Sequence, residues 1–95
     1  MHRRKSGRSR LRIYLDVLEI VYREGGKVRF TKLLSESNIP YDRFLRYEDE
    51  LERRGLISES RDGDARYVEL TAEGARFLEE LRRMERFLRD LGLGL

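Results

Sequence analysis

The apolar residues of this chain fall into blocks whose spacing switches from helical to alternating and back, and the switches divide it into elements. From Leu11 to Arg23 only Arg12, Asp16, Glu19 and Arg23 are charged, and at helical spacing they form one narrow stripe. The rest of that helix, including Ile13, Val17 and Ile20, covers roughly 220° of the circumference, about twice what facing a single core requires. So broad a face predicts a second buried contact, made with another copy of the chain. Gly25-Gly26 ends the helix, and Lys27 to Phe30 reads as a short extended link.

Thr31 is the expected N-cap of a short second helix running to about Glu36, with Leu33 and Leu34 inward. Ser37-Asn38-Ile39 is the turn. Pro40 suits the first turn of a third helix, where its missing N–H is no loss, and Gly55 stops that helix after Arg54. Phe44, Tyr47 and Leu51 form its inward face; Asp42, Arg43, Arg46, Asp49, Glu50 and Arg53 face out. Leu56 to Ser60 and Ala65 to Leu70 are β-prone runs flanking Arg61-Asp62-Gly63-Asp64, in which Asp-Gly predicts a type I′ hairpin turn. Thr71 caps a last helix to about Leu91, where Phe77, Leu81, Met84, Leu88 and Leu91 are spaced 4, 3, 4, 3. That heptad seam is expected to make a short antiparallel coiled-coil-like contact with a second copy. Three segments result: an arm over 1–10, a domain over 11–70 and the C-terminal helix over 71–91.

Composition narrows the chemistry. The 95 residues contain no cysteine, and the single histidine is His2, so neither a disulfide framework nor a thiolate metal site is available. No apolar run approaches a membrane span, and the start lacks the apolar stretch of a secretory signal, so a cytoplasmic protein is expected. Charged residues make up 41% of the chain and the net charge is +3, but the excess is local. Residues 1–12 hold six basic side chains and no acid, which leaves 15 basic against 18 acidic residues in the remainder. A basic arm on a slightly acidic body suits contact with phosphate backbones; a solubilising terminus is the plainer alternative.

The order helix, short strand, helix, turn, helix, hairpin, long helix is that of a winged helix-turn-helix domain, mainly α with a small β-hairpin wing and an added C-terminal dimerisation helix. The run Arg8-Ser9-Arg10-Leu11-Arg12-Ile13 leading to Asp16-Val17-Leu18 carries a closer likeness. Thr31-Lys32-Leu33, Tyr41-Asp42-Arg43-Phe44, Tyr47, Leu51, Gly55-Leu56-Ile57 and Leu70-Thr71-Ala72-Glu73-Gly74 extend it. Together they resemble small archaeal winged-helix proteins, predicted transcriptional regulators or chromatin-associated DNA binders that dimerise through the terminal helix. The resemblance implies a nucleoid-associated homodimer bound to duplex DNA. Two positions depart from the group: Pro40 replaces a small capping residue, and Glu48 stands where an apolar residue is usual.

The second helix of a helix-turn-helix motif lays its first turns in the major groove, which nominates Tyr41, Asp42, Arg43 and Arg46. Arg3, Arg4, Lys5, Arg8 and Arg10 in the arm, Lys32 at a helix start, and Arg61 and Arg66 in the hairpin are the expected phosphate or minor-groove contacts. Ile13, Val17, Ile20, Phe77, Leu81, Met84, Leu88 and Leu91 are the expected dimer contacts. A plainer assignment stands beside these: Asp42 with Arg46, Arg46 with Glu50 and Asp49 with Arg53 have the spacing of helix-supporting ion pairs, and Asp62 and Asp64 offset the wing arginines. No histidine pair, glycine-rich phosphate loop or metal spacing occurs, so the expectation is a protein that is not an enzyme and takes no cofactor or small-molecule ligand. The rival from another class is a winged-helix protein-interaction module, a scaffold or antitoxin-like domain. RNA is a weaker third choice, because Tyr41 alone offers a stacking surface.

Overall fold

The computed structural model describes residues 8–95; Arg3, Arg4 and Lys5 lie outside them. The elements are α1 (Arg10–Arg23), β1 (Lys27–Arg29), α2 (Phe30–Ser37), α3 (Tyr41–Arg53), β2 (Ile57–Asp62), β3 (Ala65–Leu70) and α4 (Ala72–Asp90). The fold is mainly α with a small antiparallel sheet, as expected. The extended link at Lys27 is a third strand, so the sheet order is β1-β3-β2 with Val28 opposite Val68.

Helix α1 begins at Arg10 because the Ser9 hydroxyl accepts the Arg12 N–H at 3.0 Å. Its wide apolar face is covered by the protomer itself: Ile13, Val17 and Ile20 are buried, and α1 packs against α2, α4, β1 and β3. The expectation that these three residues meet a second copy therefore needs correction. Periodicity measures how wide a face is, and here four neighbours in one chain are enough to cover it. Two ion pairs fasten α1 to α4, Arg12 with Glu85 and Glu19 with Arg82, the latter at 2.8 Å. The Arg12 guanidinium holds the Glu85 carboxyl below the usual carboxylate range.

Helix α2 starts at Phe30, one residue before the expected cap. Arg29 is the extended N-cap residue with no side-chain bond, and Thr31 lies inside the first turn. Burial of Phe30, edge-on to Phe44 with ring centroids 5.4 Å apart, outweighs the capping preference of threonine. Asn38 closes α2 in the left-handed region at φ 59°, a conformation its short polar side chain tolerates. Pro40 then serves as N-cap of α3, its carbonyl accepting the Phe44 N–H at 2.8 Å.

The hairpin is tighter than expected. Asp62 pairs with Ala65, leaving Gly63-Asp64 as a two-residue connection. Gly63 has φ 64° while Asp64 does not take a positive φ, which suits a type II′ turn rather than type I′. At the start of α4, Thr71 Oγ1 accepts the Gly74 N–H at 2.9 Å and donates to the Gly55 carbonyl at 2.6 Å. Gly74, Leu78 and Leu81 form the buried stripe of this helix.

Candidate nucleic-acid interface

Helices α2 and α3 with the intervening turn make the helix-turn-helix unit, and the sheet makes the wing. Phe44 and Leu51 are buried and anchor α3, and half-buried Tyr47 lies edge-on to Tyr14 at 6.4 Å. That leaves the first turns of α3 outward. Tyr41 is 57% exposed, and Asp42, Arg43 and Arg46 are exposed beside it.

The anticipated ion pairs along α3 form only in part. Asp49 and Arg53 meet at 2.9 Å. Glu50 instead turns inward to accept the Tyr14 hydroxyl at 2.7 Å, and that bond lowers its pKa from the ordinary carboxylate value. Burial, followed by the same hydrogen bond, raises the Tyr14 hydroxyl. The expected pair of Asp42 with Arg46 does not form either; Arg46 lies over the Tyr47 ring at 5.5 Å, and among the described residues neither Arg43 nor Arg46 has an acidic partner within ion-pair distance.

Three other nominated cations, Arg8, Lys32 and Arg66, are occupied. Arg8 bonds Asp16 at 2.9 Å and the carbonyl of Ser37 at 3.1 Å, so it ties the lead of α1 to the C-terminal end of α2, where a cation is favoured. Arg10 is largely exposed, 3.9 Å from Glu50. Lys32 pairs with Glu24 at 3.0 Å and reaches Glu36 at 4.0 Å. Arg66 points inward, over the Phe30 ring at 3.8 Å and bonded to Glu59 and Glu48. Its cross-strand neighbour Arg61 is exposed. Charge and place in the chain nominated Arg8, Lys32 and Arg66; the acidic partners of Lys32 and Arg66 come from other elements, or from Glu36 one turn away, and that of Arg8 from α1.

The heptad seam divides between two environments. Leu81 is buried in the protomer, and half-buried Phe77 contacts Tyr14 with centroids 6.4 Å apart. Leu88 is half-buried, whereas Met84 and Leu91 are exposed together with Phe87, which heptad spacing does not single out. Nor does that spacing single out Leu78 as core; its signal is its place four residues after Gly74 and three before Leu81. Among the described residues no group of acidic or histidine side chains is arranged to hold a metal, and no helix is long and apolar enough to cross a membrane.

A three-stranded sheet appended to a helix-turn-helix unit defines the winged-helix class. Residues 7–89 match the winged helix-turn-helix family, and the chain belongs to it. Among solved structures it is similar to Sso10a-2, a DNA-binding protein from Sulfolobus solfataricus, with TM-score 0.78 and 20% identity over 88% of this chain and 85% of that one. F93 from STIV, a winged-helix DNA-binding protein, gives TM-score 0.72 and 21% identity over 82% of this chain and 90% of that one. A candidate transcriptional regulator from Pseudomonas aeruginosa is 32% identical with TM-score 0.67, over 83% of this chain and 57% of its own length. The search of curated protein sequences found no match.

Proposed function

We propose that the protein binds duplex DNA as a homodimer, acting as a transcriptional regulator or architectural protein, with the start of α3 in the major groove. The observation that carries this reading is the outward face of α3, where Tyr41, Arg43 and Arg46 stand clear of acidic partners while Arg8, Lys32 and Arg66 are held by carboxylates. Arginines placed so can take a guanine edge in bidentate fashion or clamp a phosphate. The two DNA-binding neighbours lend support at the level of fold. Second copies are expected to join through the exposed end of α4, and Arg61 of the wing reaches the flanking backbone.

Fluorescence anisotropy with random duplex, candidate promoter duplex and single strand, read across a salt series, tests the reading. Arg43→Ala or Arg46→Ala is expected to cost about 1–3 kcal/mol on a preferred duplex and less on random sequence if a base edge is read. Equal losses on both would assign the arginines to phosphate. Unchanged affinity would remove α3 from the interface, and no duplex binding by the wild type even at low salt would favour a protein-interaction module.

The basic arm makes a separate prediction. Residues 1–7 contain Arg3, Arg4 and Lys5 and no acid. Deleting 1–7 spares Ser9 and Arg8, which hold α1 and α2, so circular dichroism is expected to stay unchanged. For each phosphate that the shortened chain no longer neutralises, the slope of log affinity against log salt should flatten by roughly 0.9. A truncated chain with the wild-type slope would show that the arm neutralises none.

A further inference from the structure

Between α3 and the wing lies a charged cluster that duplex contact does not use. Glu48 is only 6% exposed, on the inward face of α3 between Phe44 and Leu51. Its Oε1 accepts from Arg66 Nη2 at 3.3 Å, and Arg66 Nε donates to Glu59 Oε2 at 2.6 Å. The ring of Phe30 in α2 supports the guanidinium from the other side. One side chain from each of α3, β2 and β3 is therefore joined at a single point.

With every group in its usual ionised form the charges of the cluster do not balance. Two carboxylates face one guanidinium, Glu52 on α3 adds a further negative field, the Tyr41 hydroxyl lies near Arg66, and the cross-strand Arg61 is exposed to solvent, outside the buried cluster. Glu48 Oε2 is buried without a hydrogen-bond partner, a costly state for an ionised oxygen. A proton on Glu48 answers both problems. It cancels the excess charge and turns a carboxylate acceptor into a donor toward Glu59. Burial first, then Glu59, push the Glu48 carboxyl up to about 7, against the pull of Arg66.

We propose that Glu48, Arg66 and Glu59 form a one-proton lock that seats the hairpin against α3 and, resting on the duplex-binding reading above, that its release at alkaline pH weakens duplex binding by loosening the wing. Glu48 is a positioning residue here, since it acts through Arg66 and β3. The native state holds the proton where the unfolded chain has already lost it. The lock's contribution is thus complete below the ordinary carboxylate range and is lost as pH rises through about 7.

The test uses the full chain, Glu48→Gln and Glu59→Gln. Glutamine at 48 keeps the shape, accepts from Arg66, donates to Glu59 and does not titrate. Carboxyl NMR titration is expected to place the wild-type Glu48 midpoint near 7, and Glu59→Gln is expected to lower it. Protection of hairpin amides from exchange, corrected for intrinsic rate, is expected to fall at least about tenfold above the midpoint, the change carried by one unit of displaced titration. Glu48→Gln is expected to abolish that pH dependence. Duplex affinity should follow the same profile in the wild type and lose it in Glu48→Gln. A Glu48 midpoint in the ordinary range, or hairpin protection with the same pH profile in both proteins, would overturn the lock. A working lock with pH-independent duplex affinity would overturn its link to binding. If neither protein bound duplex at any pH, the duplex-binding reading would fail while the titration and exchange data still decided the lock.

Discussion

Replacing Gly74 with alanine is expected to lower the stability of the fold by about 3 kcal/mol, at the upper end of what overpacking a close contact costs. A Cβ at this position would lie 1.9 Å from the Leu56 carbonyl oxygen and 2.9 Å from Leu70 Cδ1. The first contact is with backbone, so no side chain can rotate away. The same carbonyl accepts the Thr71 N–H at 3.2 Å, so moving α4 off Leu56 also strains the cap that starts it. For a domain of this size the melting temperature should fall on the order of 15 °C. Gly94→Ala is the control, because nothing lies within 4 Å of its Cβ position. Equal melting temperatures for Gly74→Ala and wild type would show that α4 does not approach the wing so closely.

Gly74 shows what the sequence can and cannot disclose. Leu70-Thr71-Ala72-Glu73-Gly74 was legible as a winged-helix marker, but its cause is a contact with Leu56, eighteen residues earlier, which no local pattern contains. Elements were legible wherever one periodicity persisted, as in α1, α3, β3 and α4. Their edges shifted where tertiary burial competed with local preference, as when Phe30 displaced Thr31 from the start of α2. The candidate surface was legible in part. The outward positions of Asp42, Arg43 and Arg46 follow from helix phase alone, whereas Tyr41 is nominated by its place at the start of α3; the structure exposes all four.

What a cation is bonded to does not follow from phase. Arg66 lies 7 residues from Glu59 and 18 from Glu48, and only the hairpin register and the packing of α3 bring them together. The departure at Glu48 was visible as an acid in an apolar position. Its consequence, an inward-turned wing arginine, required the fold. The same holds for Glu50, whose expected pairing with Arg46 is replaced by the hydroxyl of Tyr14 on α1. That replacement removes one of the two acidic partners expected for Arg46; the other, Asp42, is not within ion-pair distance either.

The largest effect on assembly is expected at the far end of α4. Met84, Phe87 and Leu91 are 49%, 59% and 59% exposed, one helical face at spacing 3 and 4 with no cover from the protomer. An exposed apolar stripe of this kind on a charged helix is suited to a second copy, with half-buried Leu88 at its border. The wild type should sediment as a dimer at micromolar concentration and melt at a temperature that rises with concentration. Phe87→Glu combined with Leu91→Glu should sediment as a monomer with unchanged circular dichroism, because neither side chain contributes to the buried core. Leu81→Glu should instead unfold the chain, since that half of the seam is 7% exposed and belongs to the protomer. Two linked modules engage a duplex far more tightly than one, so the monomeric variant is expected to lose roughly a hundredfold in duplex affinity with Arg43 and Arg46 intact. A monomeric wild type, or a double variant that remains dimeric, would show that this face of α4 does not join two copies.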